Sequence, residues 1–355
     1  MADHSKAPVL GAAIAVALAL YAIAADRRSN GRSSARAERA ADDRLGRAAD
    51  EPHQIPAAGW WDILKRLSAD IGRDNVSLMA AGVAFYGLLS LAPGFTALVV
   101  LYGLMFDPSQ VQAQVAAMEG MIPEEARKLI ADQLTTIVQG SSSSLGVSFV
   151  ASLALAIWSA NSGTSALMQA LNVAYGEREQ RSVLRYYGTA LVLTAAAVLF
   201  GVLSLILVAI IPAVVGLLPL GGFGRELVDW IRWPVLTILF AAGLSVIYRY
   251  APSRNEPRWS WVSWGAVLAT VLWITGSVLF SLYVEKFATY NKTYGSLGAV
   301  VVLLMWLWLS AYAALVGAEL NAEMEHQTAR DTTDRPRKPM GRRGAYVADT
   351  VAPRG

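Results

Sequence analysis

Long segments with almost no charged residues recur along this chain, and they constrain its fold more than any other feature. Six of them have the length of a membrane span, which is about 20 mostly apolar residues. They cover approximately residues 77–105, 146–174, 188–215, 233–250, 261–284 and 296–320. Charged residues make up 16% of the 355 residues, whereas soluble domains contain roughly 25%. The pattern predicts an all-α polytopic membrane protein with a six-helix core bundle, here residues 59–326.

A seventh apolar segment, residues 8–25, precedes the core. An Ala-Ile-Ala sequence near its end resembles a signal-peptidase site, which is one interpretation. Basic residues follow at once, beginning with Arg27 and Arg28, and positive charge after an apolar segment opposes its translocation. We therefore expect residues 1–25 to form one N-terminal transmembrane anchor, followed by a cytoplasmic linker over residues 26–58.

The distribution of positive charge between the spans predicts their orientation. Arginines concentrate in every second connection and in the tail, whereas the alternate connections contain fewer basic residues. The rule that cytoplasmic loops carry the excess of Lys and Arg then places both ends of the core, and the C-terminus, in the cytoplasm. The basic tail, residues 327–355, is polar and rich in Pro, Gly and Arg, which predicts disorder.

Two shorter helices are predicted outside the spans. Over residues 60–74, Trp60, Leu64, Leu67 and Ile71 recur at helical spacing, with charged residues opposite. This segment is either a helix at the membrane interface or a helix packed on the protein. In the connection after the first core span, Pro123 and the acids that follow it indicate the start of a short outer helix.

The span over residues 146–174 carries an unusual set of polar side chains. At 100° per residue, five of them fall within an arc of about 100° on one helix face. They are Asn161, Ser162, Ser165, Gln169 and Asn172. An amide facing lipid would lack hydrogen-bond partners, so the arc faces other helices or water. Hydrogen bonds between packed helices are one interpretation, and the polar wall of a cavity or translocation path is the other.

Two more features lie within the predicted spans. Pro93 removes a backbone hydrogen bond from the first core span and predicts a helix kink. Glu319 and Glu323, four residues apart, share one helix face near the cytoplasmic boundary of the last span. They form either a candidate gate for a proton or an ion, or carboxylates neutralised by nearby arginines or loop amides.

Catalytic patterns are missing from the sequence. The chain has no cysteine, and its three histidines, His4, His53 and His326, lie outside the apolar segments. Neither a nucleophile elbow, nor a zinc-protease motif, nor a phosphate-binding loop is present. We therefore predict no enzymatic role, no cofactor or metal, and no nucleic-acid partner.

Two passages resemble a known family. They are RDNVSLMAAGVAFYGLLSLAPGF, at 73–95, and YNKTYGSLGAVVVLLMWLWLSAYAALVGAELNAEME, at 290–325. Together with WSANSGTSALMQALNVAYG, at 158–176, they are similar to the YihY/BrkB family of bacterial inner-membrane proteins. The resemblance covers about residues 59–326 and implies a multi-pass protein of the cytoplasmic membrane. Members of that family have carried the labels ribonuclease BN, a tRNA-processing enzyme, and virulence factor.

Three functions follow as hypotheses. The polar arc, Pro93 and Glu319 favour transport or export of an envelope lipid, a solute or an ion. A non-catalytic envelope scaffold is the alternative, and a tRNA-processing ribonuclease rests on the family label alone. The expected partners are membrane lipids, an envelope lipid or small-molecule substrate, and a second copy of the chain in a homo-oligomer.

Overall fold

The computed structural model describes residues 42–105, 146–210, 222–286, 296–334 and 336–353. Within these ranges the chain is helical, and extended pairing is limited to one bridge between Pro257 and Thr333. The helices are α1 (Ala57–Arg73), α2 (Val76–Met105), α3 (Gly146–Ala174), α4 (Val183–Leu205), α5 (Gly222–Tyr250), α6 (Trp259–Lys286), α7 (Ser296–Gln327) and α8 (Tyr346–Asp349). A 3-10 turn precedes α1, and one π turn extends α4.

Each predicted core span overlaps one of the helices α2 to α7, but α4 and α5 begin before their predicted spans, at Val183 and Gly222, and residues 211–215 lie outside the described residues. Among the described residues, four helices are long and apolar enough to cross a membrane, or five if α1 and the first half of α2 form one bent span. The all-α membrane architecture is therefore confirmed, whereas the count of six core spans plus an anchor stays a prediction. The anchor and the outer helix at Pro123 lie outside the described residues.

The bundle is assembled from two closely packed helix pairs, α2 with α3 and α6 with α7, and α7 also packs on α2. Gly265 and Gly317 face each other between α6 and α7, where a Cβ on either residue would overlap the carbonyl oxygen of the other. Asn321 secures this contact, because its side chain accepts from the Gly265 amide at 2.8 Å and donates to the Val262 carbonyl at 3.2 Å. Small residues thus let the two helix backbones touch.

α1 meets α2 at a bend of 59°, and we call this junction the elbow. Asn75 forms the turn with φ of 50°, a left-handed conformation that asparagine tolerates better than most residues. One face of α1 packs on α7, where Ile63 and Leu67 are buried against Leu320 and Met324. These are the contacts of a helix packed on the protein, although Leu64, predicted on the apolar face, is exposed. The position of α1 at a membrane interface stays a prediction.

α2 remains helical through Pro93. Its backbone therefore does not break at the proline, and the kink itself stays a prediction.

The C-terminal segment, residues 328–353, differs from its prediction. Thr332, Arg343 and Ala348 are buried, and the segment packs over the loops that end α3 and α5. The Arg343 side chain donates to four backbone carbonyls, those of Ala329, Arg330, Lys338 and Ala348. A polar composition predicted disorder, whereas here polar side chains satisfy the backbone of a compact segment in place of an apolar core.

Candidate functional site

The polar arc of α3 makes hydrogen bonds to α4. Thr194 Oγ1 donates to Asn161 Oδ1 at 3.0 Å, and the amide of Gln169 donates to the Tyr186 hydroxyl at 3.2 Å. That hydroxyl in turn donates to the Ser165 carbonyl at 3.0 Å. These are the contacts that the packing interpretation predicts. The cavity interpretation stays a prediction.

Asn172 lies at the end of the bundle where α3, α5 and α7 finish, which we call the basal end. Its side chain donates to Glu179 Oε2 at 3.0 Å and accepts from the Ser253 amide at 2.7 Å. One buried side chain therefore joins α3 to the loops that follow α3 and α5. The bond from Ser253 to Asn172 links residues 81 positions apart, so it forms only when these distant segments pack together.

The remaining serines of the arc behave differently. Ser162 donates to the Ser159 carbonyl of its own helix at 2.7 Å. The Ser165 hydroxyl is buried and has no hydrogen-bond partner among the described residues. On an adjacent face, Gly163 approaches α2 so closely that an added Cβ would lie 3.1 Å from Gly87 Cα. The helix is thus held by neighbours on two sides.

Glu319 lies on the face of α7 that meets the elbow. The residue is 2% exposed, and its Oε1 atom has no hydrogen-bond partner within the described ranges. Its strongest charged neighbours are the carboxylates of Asp74, Asp70 and Glu323, which Arg73 opposes. Arg73 already bonds to Asp70 at 2.9 Å and to Asp74 at 3.3 Å. Among the described residues, Glu319 is therefore a buried carboxyl group that forms no ion pair.

Glu323 differs from Glu319, because it has a cation of its own. Arg66 of α1 forms an ion pair with Glu323 and also donates to Gln327 at 2.6 Å. The two predicted glutamates therefore lie side by side, but Glu323 is paired with an arginine whereas Glu319 lies near other carboxylates. Asp70, which sequence reasoning missed, shares this site. Its spacing after the buried Ile63 and Leu67 was the signal that could have placed it on the inward face of α1.

A second ion pair was also missed. Arg254, in the loop after α5, donates to both carboxylate oxygens of Glu325, at 2.9 and 2.7 Å. Neither side chain is exposed. The two residues are 71 positions apart, and no local pattern connects a loop arginine to the end of a helix.

A groove of about 1820 Å³ opens at the basal end, between α4, α5 and the C-terminal segment. Five arginines lie along it: Arg178, Arg181, Arg185, Arg249 and Arg254. Three acidic residues, Glu177, Glu256 and Asp349, also line it. None of the five predicted polar-arc residues is among the described residues that form its wall.

The loop between α3 and α4, which borders this groove, contains two glutamates with shifted pKa values. Burial alone would raise the pKa of Glu179, but hydrogen bonds from Arg181 and Asn172 lower it to about 2. Burial raises the pKa of Glu177, against a hydrogen bond from the Tyr346 amide. In this loop the Glu179 carboxylate is held in its charged form by Arg181, whereas the nearby Glu177 carboxyl group is partly desolvated.

Comparison with known proteins gives a consistent picture. The model of a family described as "Virulence factor BrkB" matches residues 67–341. The ribonuclease-like protein YfkH of Bacillus subtilis, whose name is provisional, is 33% identical over 250 residues, or 68% of this chain and 88% of the relative. A UPF0761 membrane protein of Idiomarina loihiensis is 26% identical over 271 residues, or 74% and 90%. No solved structure matches.

Proposed function

Since this chain belongs to the virulence factor BrkB family and is an integral membrane protein, we propose that it transports or exports an envelope lipid, a solute or an ion. The proposed location is the bacterial inner membrane, with the basal end and the C-terminus in the cytoplasm. That orientation follows from the arginines of the basal loops and the rule for positive charge.

One observation carries this proposal, namely the buried carboxyl group of Glu319. It lies within the candidate span Gly298–Gln327, and among the described residues it forms no ion pair; Arg73, the cation that acts on it, is bonded to Asp70 and Asp74. An ionisable group inside a span is costly, and such groups in membrane proteins commonly mark ion or proton pathways. We assign to Glu319 the binding and release of a proton or a monovalent cation during transport.

The position of Glu319 supports a coupling role. It faces the elbow, where α1 and α2 meet at 59° and where the carboxylates of Asp70 and Asp74 lie. When Glu319 is ionised, repulsion acts between α7 and the elbow, and neutralising it removes that repulsion. Loading and release of a cation would therefore shift how α1 and α2 sit against α7.

The experiment uses the full chain reconstituted into liposomes. Vesicles contain a pH-sensitive or a sodium-sensitive dye, and a potassium gradient with valinomycin sets the membrane potential. We expect the protein to increase the flux of at least one cation above that of protein-free vesicles. Glu319→Gln should return the flux close to the protein-free level, because a neutral amide cannot bind and release a proton or hold a cation as a carboxylate does.

Glu285→Gln is the matched control, because Glu285 lies near the opposite end of the bundle and is exposed. It should leave the flux unchanged. The role of Glu319 would be overturned if neither dye reports a flux above that of protein-free vesicles. It would also be overturned if Glu319→Gln and Glu285→Gln give equal flux. A tail-labelled fluorescent phospholipid, quenched from outside by dithionite, tests lipid movement in the same vesicles.

The scaffold alternative was motivated by the helix over residues 60–74, by the outer connection and by the Arg-rich tail. Residues 328–353 pack on the core, and the outer connection lies outside the described residues, so this alternative stays a prediction. The ribonuclease-like name belongs to the Bacillus relative and is not extended to this chain.

A further inference from the structure

We infer that the groove at the basal end binds an anionic membrane lipid, with the phosphate of its headgroup between Arg178 and Arg185. This inference is independent of the transport proposal, because a lipid can occupy the groove whether or not it is moved. It rests on three features of the groove: its unpaired charges, its apolar wall and its level at the end of a membrane span.

The first feature is the positive charge of the arginines that form no ion pair within the described part of the protein. Arg181, Arg249 and Arg254 bond to carboxylates, those of Glu179, of Glu256 with Asp334, and of Glu325. The other acids on the wall accept hydrogen bonds from backbone amides, which satisfy their oxygen atoms but leave their negative charge in place. Glu177 accepts from the Tyr346 amide at 2.6 Å, and Asp349 accepts from three backbone amides of the C-terminal segment.

Two of the five arginines along the groove have guanidinium groups without such a carboxylate partner among the described residues. The exposed side chains of Arg178 and Arg185 make no hydrogen bond or ion pair within the described residues. Between them α4 begins, and Ser182, at its N-terminal cap, forms no capping bond with its hydroxyl. Free amides and the positive end of the helix dipole at this position favour a phosphate, and two arginines add charge-assisted hydrogen bonds.

The second feature is the apolar wall that continues from the arginines along α4. Gly188, Val192 and Ala196 follow Arg185 at intervals of three or four residues on one face, and Val246 of α5 lies opposite. Arg185 and Ala196 are 11 positions apart, or about 16 Å along the helix. A Cβ on Gly188 would meet no atom within 4 Å. A cleft with a cationic mouth and an apolar extension fits a headgroup and the upper part of an acyl chain.

The third feature is the level of the mouth. The candidate span of α4 begins at Val183, directly after Ser182, so the arginines lie where lipid headgroups lie. Exposed aromatic residues at the same end, Tyr187, Tyr250 and Trp259, suit that interface. A soluble phosphate compound would not need the apolar wall, and for this reason we assign the groove to a lipid.

Binding of radiolabelled phosphatidylglycerol to the full chain, purified in a non-ionic detergent, tests the assignment. Unlabelled phosphatidylglycerol should displace the label, whereas phosphatidylcholine with the same acyl chains and millimolar inorganic phosphate should not. The double variant R178Q/R185Q should weaken binding about tenfold to thirtyfold, since each arginine near a membrane surface contributes about 1 kcal/mol. Gly188→Phe, which fills the cleft but keeps both arginines, should also weaken binding.

The double variant R330Q/K338Q is the matched control. It removes two exposed positive charges outside the groove and should bind like the unaltered protein. Equal binding of the two phospholipids, or equal loss in the two double variants, would overturn the inference. Displacement by inorganic phosphate would overturn the assignment to a lipid. Gel filtration and the melting temperature of each variant verify that the fold is retained.

Discussion

Nη2 of Arg254 donates to both carboxylate oxygens of Glu325, at 2.9 and 2.7 Å, and both side chains are fully buried. The guanidinium carbon of Arg254 lies 4.8 Å from the centre of the Tyr175 ring, and Thr332 Oγ1 donates to Glu325 at 2.6 Å. The pair therefore joins the end of α3, the loop after α5, the end of α7 and the C-terminal segment at one point.

Removal of one member of this pair should destabilise the protein strongly. Arg254→Ala leaves the Glu325 carboxylate buried without a counterion, which costs about 3–5 kcal/mol. The free energy of unfolding can be measured by sodium dodecyl sulfate titration in mixed micelles. The combined variant R254M/E325L should be more stable than either single loss of charge, because no buried charge remains. A single variant as stable as the original protein would contradict this prediction.

The contact between α6 and α7 should not tolerate a methyl group. Gly265→Ala places a Cβ against the Gly317 carbonyl and the Asn321 amide, so the helices must separate. We expect a loss of about 3 kcal/mol or more, with a lower yield of monodisperse protein. Gly82→Ala is the control, since nothing lies within 4 Å of its added Cβ. Similar melting temperatures for the two variants would argue against close packing at this position.

Two residues of the polar arc should respond in different ways. Asn172→Ala leaves the Ser253 amide without its acceptor and should cost about 1–3 kcal/mol. Ser165→Ala removes a buried hydroxyl that has no partner among the described residues, so stability should stay the same or rise by about 1 kcal/mol. If Ser165→Ala nevertheless abolishes transport at full stability, the cavity interpretation gains support; if it affects neither, packing is favoured.

Acid should weaken the loop that follows α3. The pKa of Glu179 is about 2, below the usual 4.5, because the hydrogen bonds from Arg181 and Asn172 outweigh burial. A lowered pKa in the folded state contributes stability above pH 4.5, and that contribution is lost as the pH falls towards 2. The melting temperature should thus fall less steeply over this range in Glu179→Gln. An identical slope in Glu179→Gln and in the unaltered protein would contradict this prediction.

Arg343 should hold the C-terminal segment in place. Arg343→Ala frees four backbone carbonyls, so cleavage by proteinase K within residues 328–353 should accelerate about tenfold or more. Mass spectrometry of the fragments identifies the cut. Arg342→Ala changes the exposed neighbouring arginine and should leave the rate as it was. Equal rates in both variants would show that other contacts retain the segment.

Partner choice at the basal end could not be deduced from local sequence. Glu319 and Glu323 share a helix face by spacing alone. Only the packing of α1 pairs Arg66 with Glu323, whereas Glu319 forms no ion pair within the part of the chain that the structure describes. Arg66 and Glu323 are separated by 257 positions. A helical period specifies the direction of a side chain, and it does not specify which distant group is met there.

The sequence by itself determined the helices and their membrane character, because a span needs about 20 apolar residues and few charges, and both are local properties. α3 accordingly occupies the predicted residues, Gly146–Ala174. The tertiary structure decided what the polar residues do. Buried polar groups must find partners, and those partners, such as Glu325 for Arg254 and four carbonyls for Arg343, come together only when distant segments pack.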